Sequence, residues 1–520
     1  MKKLLLILFC ISFVFPLLGQ TPTYNRDIAP IVYNHCTFCH RPGEIGPMAL
    51  TNYAEVSTWA STIKYVTAEK IMPPWKADPE YNSFLGENFL TDDEISLIAQ
   101  WADGGTPEGD PADFTDPPTY PSGSALGTPD VVFSFAEAYK HNGNNEDGYR
   151  VFVLPTNFSE DKEVAAVELR PGNRKIVHHA LISADTTGTG RANDAREAGY
   201  GYDGFGGFGV TGAIDNLYPS YVPGQIPRFY PEGTGQIIPR GADMLIQMHY
   251  APSPIDEWDS SSVNIFFVDR PLERQIDYKI LLPLPGTITN PPFFIPANQV
   301  KTFHGVWQAP RDLSLISISP HMHLLGQSWE IMAIDPQGDT TNLISIPQWD
   351  FNWQGTYSFD RLIKVEQGSS IHAYATYDNT SNNPENPNNP PQFSSWGERT
   401  EDEMYFLPIA YVDYEPGDEN IVLSDDEDRL FVGSNRLFDI FPNPAKGEIQ
   451  ARFKLSQSNR VNMAIYNVKG QLMKEVQSNA PFGPGTHQMP VNTEHLIPGV
   501  YILKIDAKGF VDTQKFVIKP

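Results

Sequence analysis

The sequence predicts a multidomain, mostly β chain. The expected order is a small all-α domain near the N-terminus, two all-β sandwiches of jelly-roll-like character, and a small C-terminal β-sandwich. Three observations predict it. The chain has 520 residues, more than one hydrophobic core ordinarily serves. Its 40 glycines and 46 prolines interrupt almost every periodic stretch, as in a turn-rich β chain. Helical periodicity is confined to residues 21–109.

Lys2 and Lys3 precede an apolar run from Leu4 to Leu18, followed by Gly19-Gln20. This reads as a secretory signal peptide over residues 1–20, shorter than the roughly 20 apolar residues a bilayer-crossing helix needs. No later stretch approaches that length, so no transmembrane segment is predicted. The mature chain is expected to be soluble and to travel via the periplasm to the cell surface or medium. Cys10 follows the bulky Phe9, a poor lipoprotein cleavage context, and falls in the discarded segment. That leaves Cys36 and Cys39, too close in sequence to form a disulfide framework. A formal net charge of -26 argues against a nucleic-acid partner.

In residues 21–109, Ile28, Ile31, Val32 and His35 share one helical face, and Val56, Trp59, Ile63 and Val66 another. A third helix is predicted to start at Thr91, with Glu94 completing a capping box, and to stop at Gly104-Gly105. Residues 110–129 contain five prolines and read as a linker. Short alternating strands follow, among them 263–269, 313–319 and 371–377. They are assigned to sandwiches at 130–282 and 283–414, divided at the proline-rich 283–297 region. An acidic linker, 415–436, contains Asp425-Asp426-Glu427-Asp428 and leads to a last β domain at 437–520.

Cys36-Thr37-Phe38-Cys39-His40 has the spacing of c-type haem attachment. Two thiols one helical turn apart suit thioether formation, and the adjacent histidine suits iron ligation. A zinc half-site or a redox CxxC is the alternative, but no second cysteine pair completes a zinc site. For the sixth ligand, Met72 in Met72-Pro73-Pro74-Trp75 is favoured over Met48, because proline holds the preceding backbone extended. Either methionine can equally be core filler. Together with Arg41-Pro42-Gly43, the segment resembles a cytochrome c domain, which implies one covalent haem c. His35 is expected to pack or lie at the surface.

The β region carries His178-His179, His249, and His321-Met322-His323. Side chains at i and i+2 share one face of a strand, so His321 and His323 form a natural chelate. Adjacent His178 and His179 would face opposite ways, and joint ligation needs a strand end or a bulge. A lone strand-end histidine such as His249 is more often structural. Met404 is the candidate thioether, and thioether plus imidazole ligation favours copper. His304 and His372 are assigned structural roles. Gly204, Gly206, Gly207 and Gly209 form a loop without the strand-to-helix context of a dinucleotide fingerprint.

The motif order HH, H, HxH, M over about residues 130–414 resembles the copper type II, ascorbate-dependent monooxygenases, the family of peptidylglycine α-hydroxylating monooxygenase and dopamine β-monooxygenase. The resemblance implies two coppers. One, for electron transfer, would be held by His178, His179 and His249; the other, oxygen-activating, by His321, His323 and Met404, the implied catalytic residues. It also implies an ascorbate-like external reductant, O₂ and a small organic substrate. The chain departs from the family at Ser319, where the animal enzymes have an arginine for a substrate carboxylate, and at Pro408, where they have a substrate-contacting tyrosine. The family's disulfides cannot form. These departures argue against a glycine-extended peptide substrate.

Phe441-Pro442-Asn443-Pro444-Ala445, Tyr466-Asn467-Val468-Lys469-Gly470 and Gly499-Val500-Tyr501 resemble the C-terminal sorting domain of type IX secretion, which implies that secretion machinery as a partner. The leading expectation is an exported copper- and haem-dependent monooxygenase hydroxylating a C–H bond, with electrons delivered by its own cytochrome domain. The alternatives are a non-catalytic electron-transfer or copper-binding surface protein, and a carbohydrate-binding or deglycosylating β module, which would need paired carboxylates.

Overall fold

The structure is a computed structural model. It describes residues 21–114, 116–118, 123–268, 271–421, 423, 436–437, 440–455, 459–483, 485–508 and 510–519. The expected signal peptide and the acidic run at 425–428 lie outside the described residues. The chain divides into two units, Met1–Pro74 with Asn88–Pro117, and Trp75–Glu87 with Pro118–Pro520.

The first unit is helical, with α-helices Ala29–His35, Tyr53–Thr58, Ala60–Ala68 and Asp92–Asp103. Tyr24, Ile28, Val32, Val56, Ile63, Ile98 and Trp101 form its core. The predicted capping box is present: Thr91 Oγ1 accepts the Glu94 N–H at 3.2 Å, and Glu94 accepts the Thr91 N–H at 2.8 Å. The expected helix through Val56, Trp59 and Ile63 is instead two helices joined at Trp59, whose indole is 39% exposed. Thr58 Oγ1 donates back to the Ala54 carbonyl at 2.7 Å, a bond that competes with helix propagation at that point.

The second unit is mostly β. Its first pair of sheets sets Val131–Ser134, Ser262–Phe267, Lys162–Arg170, Thr234–Ile238 and Arg274–Gln275 against Tyr202–Asp203, Gly148–Pro155, Asp243–Tyr250, Val177–Asp185 and Tyr218–Tyr221. Val164, Val167, Ile182, Ile246, Met248 and Val263 fill the space between them. The second pair has sheet orders Asp277–Leu281, Leu407–Asp413, Leu313–Ile318, Tyr357–Val365 and Gln299–Gln308, Ser370–Asn379, Gly326–Ile334, Thr340–Ile346. Its core is built on Leu315, Trp329, Ile331, Phe359, Ala373 and Tyr405. Strands from Arg436–Leu437 to Phe510–Ile518 form a third β body around Phe453, Ile465, Leu503 and Phe516. No helix among the described residues is long and apolar enough to cross a membrane.

Three expected boundaries shift. Asp277–Leu281, placed in the first sandwich by the sequence, pairs with Leu407–Asp413 in the second. Residues 75–87, expected in the helical domain, belong with the second sandwich. There Trp75 and Phe84 pack edge-on against Tyr357, and the Leu85 N–H bonds to the Ser358 carbonyl at 2.8 Å. The end of the expected linker is also anchored: buried Glu168 accepts from Ser124 Oγ at 2.6 Å and the Ala125 N–H at 2.8 Å.

Candidate metal centre

The strands Val177–Asp185 and Asp243–Tyr250 pair antiparallel with His179 directly opposite His249. The register slips between Val177 and His179, so His178 is an extra residue at a bulge. The bulge turns both neighbouring imidazoles to one side, meeting the condition the sequence had imposed. His179 Nδ1 lies 3.3 Å from His178 Nδ1 and 3.3 Å from His249 Nδ1. Ligand atoms set tetrahedrally about 2 Å from one ion stand about 3.3 Å apart, so the spacing fits a metal held by three imidazoles.

The ring of His249 is fixed from behind. Its Nε2 donates to Asp147 Oδ1 at 2.7 Å, and Tyr149 stacks on it at 4.4 Å and 10°. That bond puts the proton on Nε2 and leaves the Nδ1 lone pair toward the cluster, as for a carboxylate-oriented metal ligand. Thr400 Oγ1 also donates to Asp147 Oδ1, at 3.2 Å. Burial opposes charge on Asp147, but the His249 and Thr400 bonds prevail and hold its carboxyl below its ordinary value.

The second set follows the strand Leu313–Ile318. His321 exchanges backbone hydrogen bonds with Phe406, and the alternation expected of i and i+2 holds around it. Met322 points into the core, fully buried, while the His321 and His323 rings lie 5.2 Å apart. His321 Nδ1 contacts Gln354 Oε1 at 2.5 Å, and His323 Nδ1 contacts the Asp402 carbonyl at 3.1 Å, so Nε2 of each is left for a ligand. Buried Glu403 ties this turn to the segment carrying Met404. It accepts the backbone N–H of His323 at 3.0 Å, Leu325 at 2.6 Å and Met404 at 3.2 Å. Burial raises its carboxyl to about 8 against those three donors. Met404 is half-buried, its carbonyl accepting from Tyr377 Oη at 2.8 Å.

The two sets adjoin. His179 and His321 have ring centroids 6.0 Å apart, and Phe351 touches both sets, stacking on His178 at 5.1 Å and meeting His323 edge-on at 5.4 Å. Burial, then the neighbouring imidazoles, lowers His178 and His321 to about 3 and His179 well below its usual range. Burial likewise lowers His323 to about 4. These four imidazoles are therefore neutral at neutral pH, the state in which they can ligate a metal.

In the helical unit, the Cys36 carbonyl accepts the His40 N–H at 2.9 Å, so the CxxCH segment forms a helical turn with Cys36 and His40 on one side. His40 Nδ1 contacts the Met48 carbonyl at 3.1 Å, leaving Nε2 free to ligate iron. Cys36 packs against the apolar core, and burial pushes its thiol up to about 12. A side chain at Gly46 would come 2.8 Å from His40 Nδ1, so the loop closes tightly over the histidine. These features fit a covalent haem. Met48 packs against the same core, while half-buried Met72 bonds through its N–H to the Val66 carbonyl. His35 has the packing role expected, held by Asn88 at 2.9 Å.

Sequence reasoning missed Asp147, Tyr149, Phe351, Gln354 and Glu403. Asp147, Tyr149, Phe351 and Gln354 reach the site from other segments, Glu403 adjoins Met404, and none carried a local signal.

A family model described as the secretion system C-terminal sorting domain matches residues 439–519. The C-terminal β body is that sorting domain, and the protein is secreted or displayed at the cell surface. No curated protein matches the chain. Similar solved structures include a Faecalibacterium prausnitzii β-glucuronidase, 11% identical over 42% of this chain and 37% of that one, with TM-score 0.14. PNGF-II is 10% identical over 55% and 66%, at TM-score 0.23. The infectious bursal disease virus VP2 particle is 11% identical over 58% and 76%, at TM-score 0.16. The chain spans 28–37% of the length of the first β-glucuronidases. At such TM-scores the likenesses do not bear on fold or activity.

Proposed function

We propose that the protein is an exported copper- and haem-dependent monooxygenase that hydroxylates a C–H bond of an organic substrate. The observation that carries this reading is the convergence of His178, His179 and His249 through three Nδ1 atoms, with His321 and His323 beside them. The net reaction, R–H + O₂ + 2e⁻ + 2H⁺ → R–OH + H₂O, requires two one-electron donors. Copper supplies one-electron redox chemistry and O₂ activation when bound, and haem supplies one-electron transfer.

The chain's own residues do the rest. Asp147 keeps the proton of His249 on Nε2, and Gln354 and the Asp402 carbonyl orient His321 and His323. Glu403 holds the Met404 segment in register with the His321–His323 turn. Phe351 packs on His178 and Tyr149 on His249, fixing those rings. The helical unit is proposed as a cytochrome c-like electron donor held by Cys36, Cys39 and His40, with Met72 as sixth ligand.

The test incubates copper-loaded, haem-bearing protein with ascorbate as electron donor and candidate organic extracts under ¹⁸O₂. One labelled oxygen atom in an organic product, lost in His321→Ala, is expected. Reduction of O₂ with no label in any product identifies an electron-transfer protein instead.

A further inference from the structure

We infer that His304 and His372 form a separate binding site for a soft monovalent metal ion, Cu(I), on the outer face of the second sandwich. The two residues lie on the paired strands Gln299–Gln308 and Ser370–Asn379, where Val306 is opposite His372 and Tyr374 opposite His304. Along Ser370–Asn379 residues alternate strictly: Ile371, Ala373 and Ala375 are buried, and His372 and Tyr374 face outward, half-buried. His304 alternates in the same way with buried Phe303 and Gly305.

The pair is built as a donor set. His304 Nε2 stands 2.9 Å from His372 Nδ1, with ring centroids 5.1 Å apart and planes 11° from parallel. The rings are therefore nearly coplanar and meet edge to edge, each nitrogen aimed at the other. Metal–imidazole distances are about 2 Å, so an ion between them needs an opening of about 1 Å. The result is linear two-coordinate ligation, which d¹⁰ Cu(I) accepts and Zn(II), with its tetrahedral preference, does not.

His304 is held for this role. Its ring stacks on Tyr374 at 4.2 Å and 4°, and Nδ1 contacts Thr289 Oγ1 at 3.1 Å. The same hydroxyl donates to the His304 carbonyl at 3.3 Å, so Nδ1 carries the proton and Nε2 a lone pair. The proton now bridging the pair belongs to His372 Nδ1, and its transfer to Nε2 of that ring clears the site without net charge on the protein. Met332 lies directly opposite His372 on the neighbouring strand and the same face, and brings a thioether beside the pair. The site shares no residue with the five-histidine centre.

The experiment titrates the full chain with Cu(I) alone under anaerobic conditions against a chromophoric chelator. His304→Gln/His372→Gln is expected to bind one equivalent fewer than the parent. The difference is the readout, so it holds whether the five-histidine centre takes two ions or none. Equal stoichiometry in parent and double variant overturns the site. Should the variant fail to fold, diethyl pyrocarbonate labelling of the parent replaces it. Cu(I) is expected to protect both His304 and His372, and unchanged labelling of the two overturns the proposal.

Discussion

Asp147 shows how a single side chain can set the chemistry of a proposed ligand it does not replace. Its carboxylate selects the His249 tautomer, and such partners are typically worth 10- to 100-fold in metal affinity. Asp147→Asn is expected to weaken copper binding at His178/His179/His249 by about 10- to 100-fold. A competition titration measures it, and an unchanged affinity would show that His249 needs no such orientation. The lowered imidazoles give a pH dependence whose sign is fixed. His178, His321 and His323 stay neutral in the folded state down to about 3 to 4, while in the unfolded chain they bind protons below about 6.5. The unfolded state then carries more protons, so their contribution to metal-free stability is full above about pH 6.5 and is lost as pH falls toward 3 to 4. Denaturant midpoints at pH 7, 5.5 and 4.5 should fall, and fall less steeply in His178→Gln/His321→Gln. Parallel slopes would contradict the assignment.

At the scale of elements, the ligand turn depends on packing one residue away from the ligands. A methyl group at Gly326 would lie 2.2 Å from Met322 Sδ and 2.8 Å from Trp349, and Met322 is the residue between the two histidines. Gly326→Ala is therefore expected to destabilise by about 1–3 kcal/mol and to weaken the His321/His323 site, while sparing the other three histidines. Chemical denaturation and copper titration of the variant check both parts. In the helical unit, Thr91→Ala removes a complete capping box and should cost about 1 kcal/mol, read from thermal unfolding followed by helical circular dichroism.

These elements mark how far the sequence could be read. The capping box was legible because its two residues are three apart, and the proximity of the His321 and His323 rings because i and i+2 alternation is local. The His178/His179 pair was legible only as a condition, since a bulge is set by the partner strand's register. Trp59 defeated periodicity because side-chain hydroxyls competed for the backbone. The ligand-orienting residues, and the adjacency of His179 to His321, come from contacts distant in sequence, 33 residues apart for Gln354 with His321 and 102 for Asp147 with His249.

At the scale of the whole molecule, an export device follows the domains that hold the proposed metal sites. The sorting domain at 439–519 leads to the expectation that protein recovered from the medium or cell surface lacks the region after about residue 430. Intact-mass spectrometry checks it, and retention of Pro520 on exported protein would contradict it. Haem attachment and copper loading are expected to be independent. Cys36→Ala/Cys39→Ala should abolish covalent haem and leave copper content unchanged, as read by haem staining and metal analysis of one sample.

The central claim is that five histidines from three separate segments make one metal centre. Copper analysis of His178→Ala/His179→Ala/His249→Ala, of His321→Ala/His323→Ala and of the combined variant against the parent tests it most directly. The account predicts loss of one copper, one copper and two coppers respectively. A combined variant that folds and retains as much copper as the parent would contradict it.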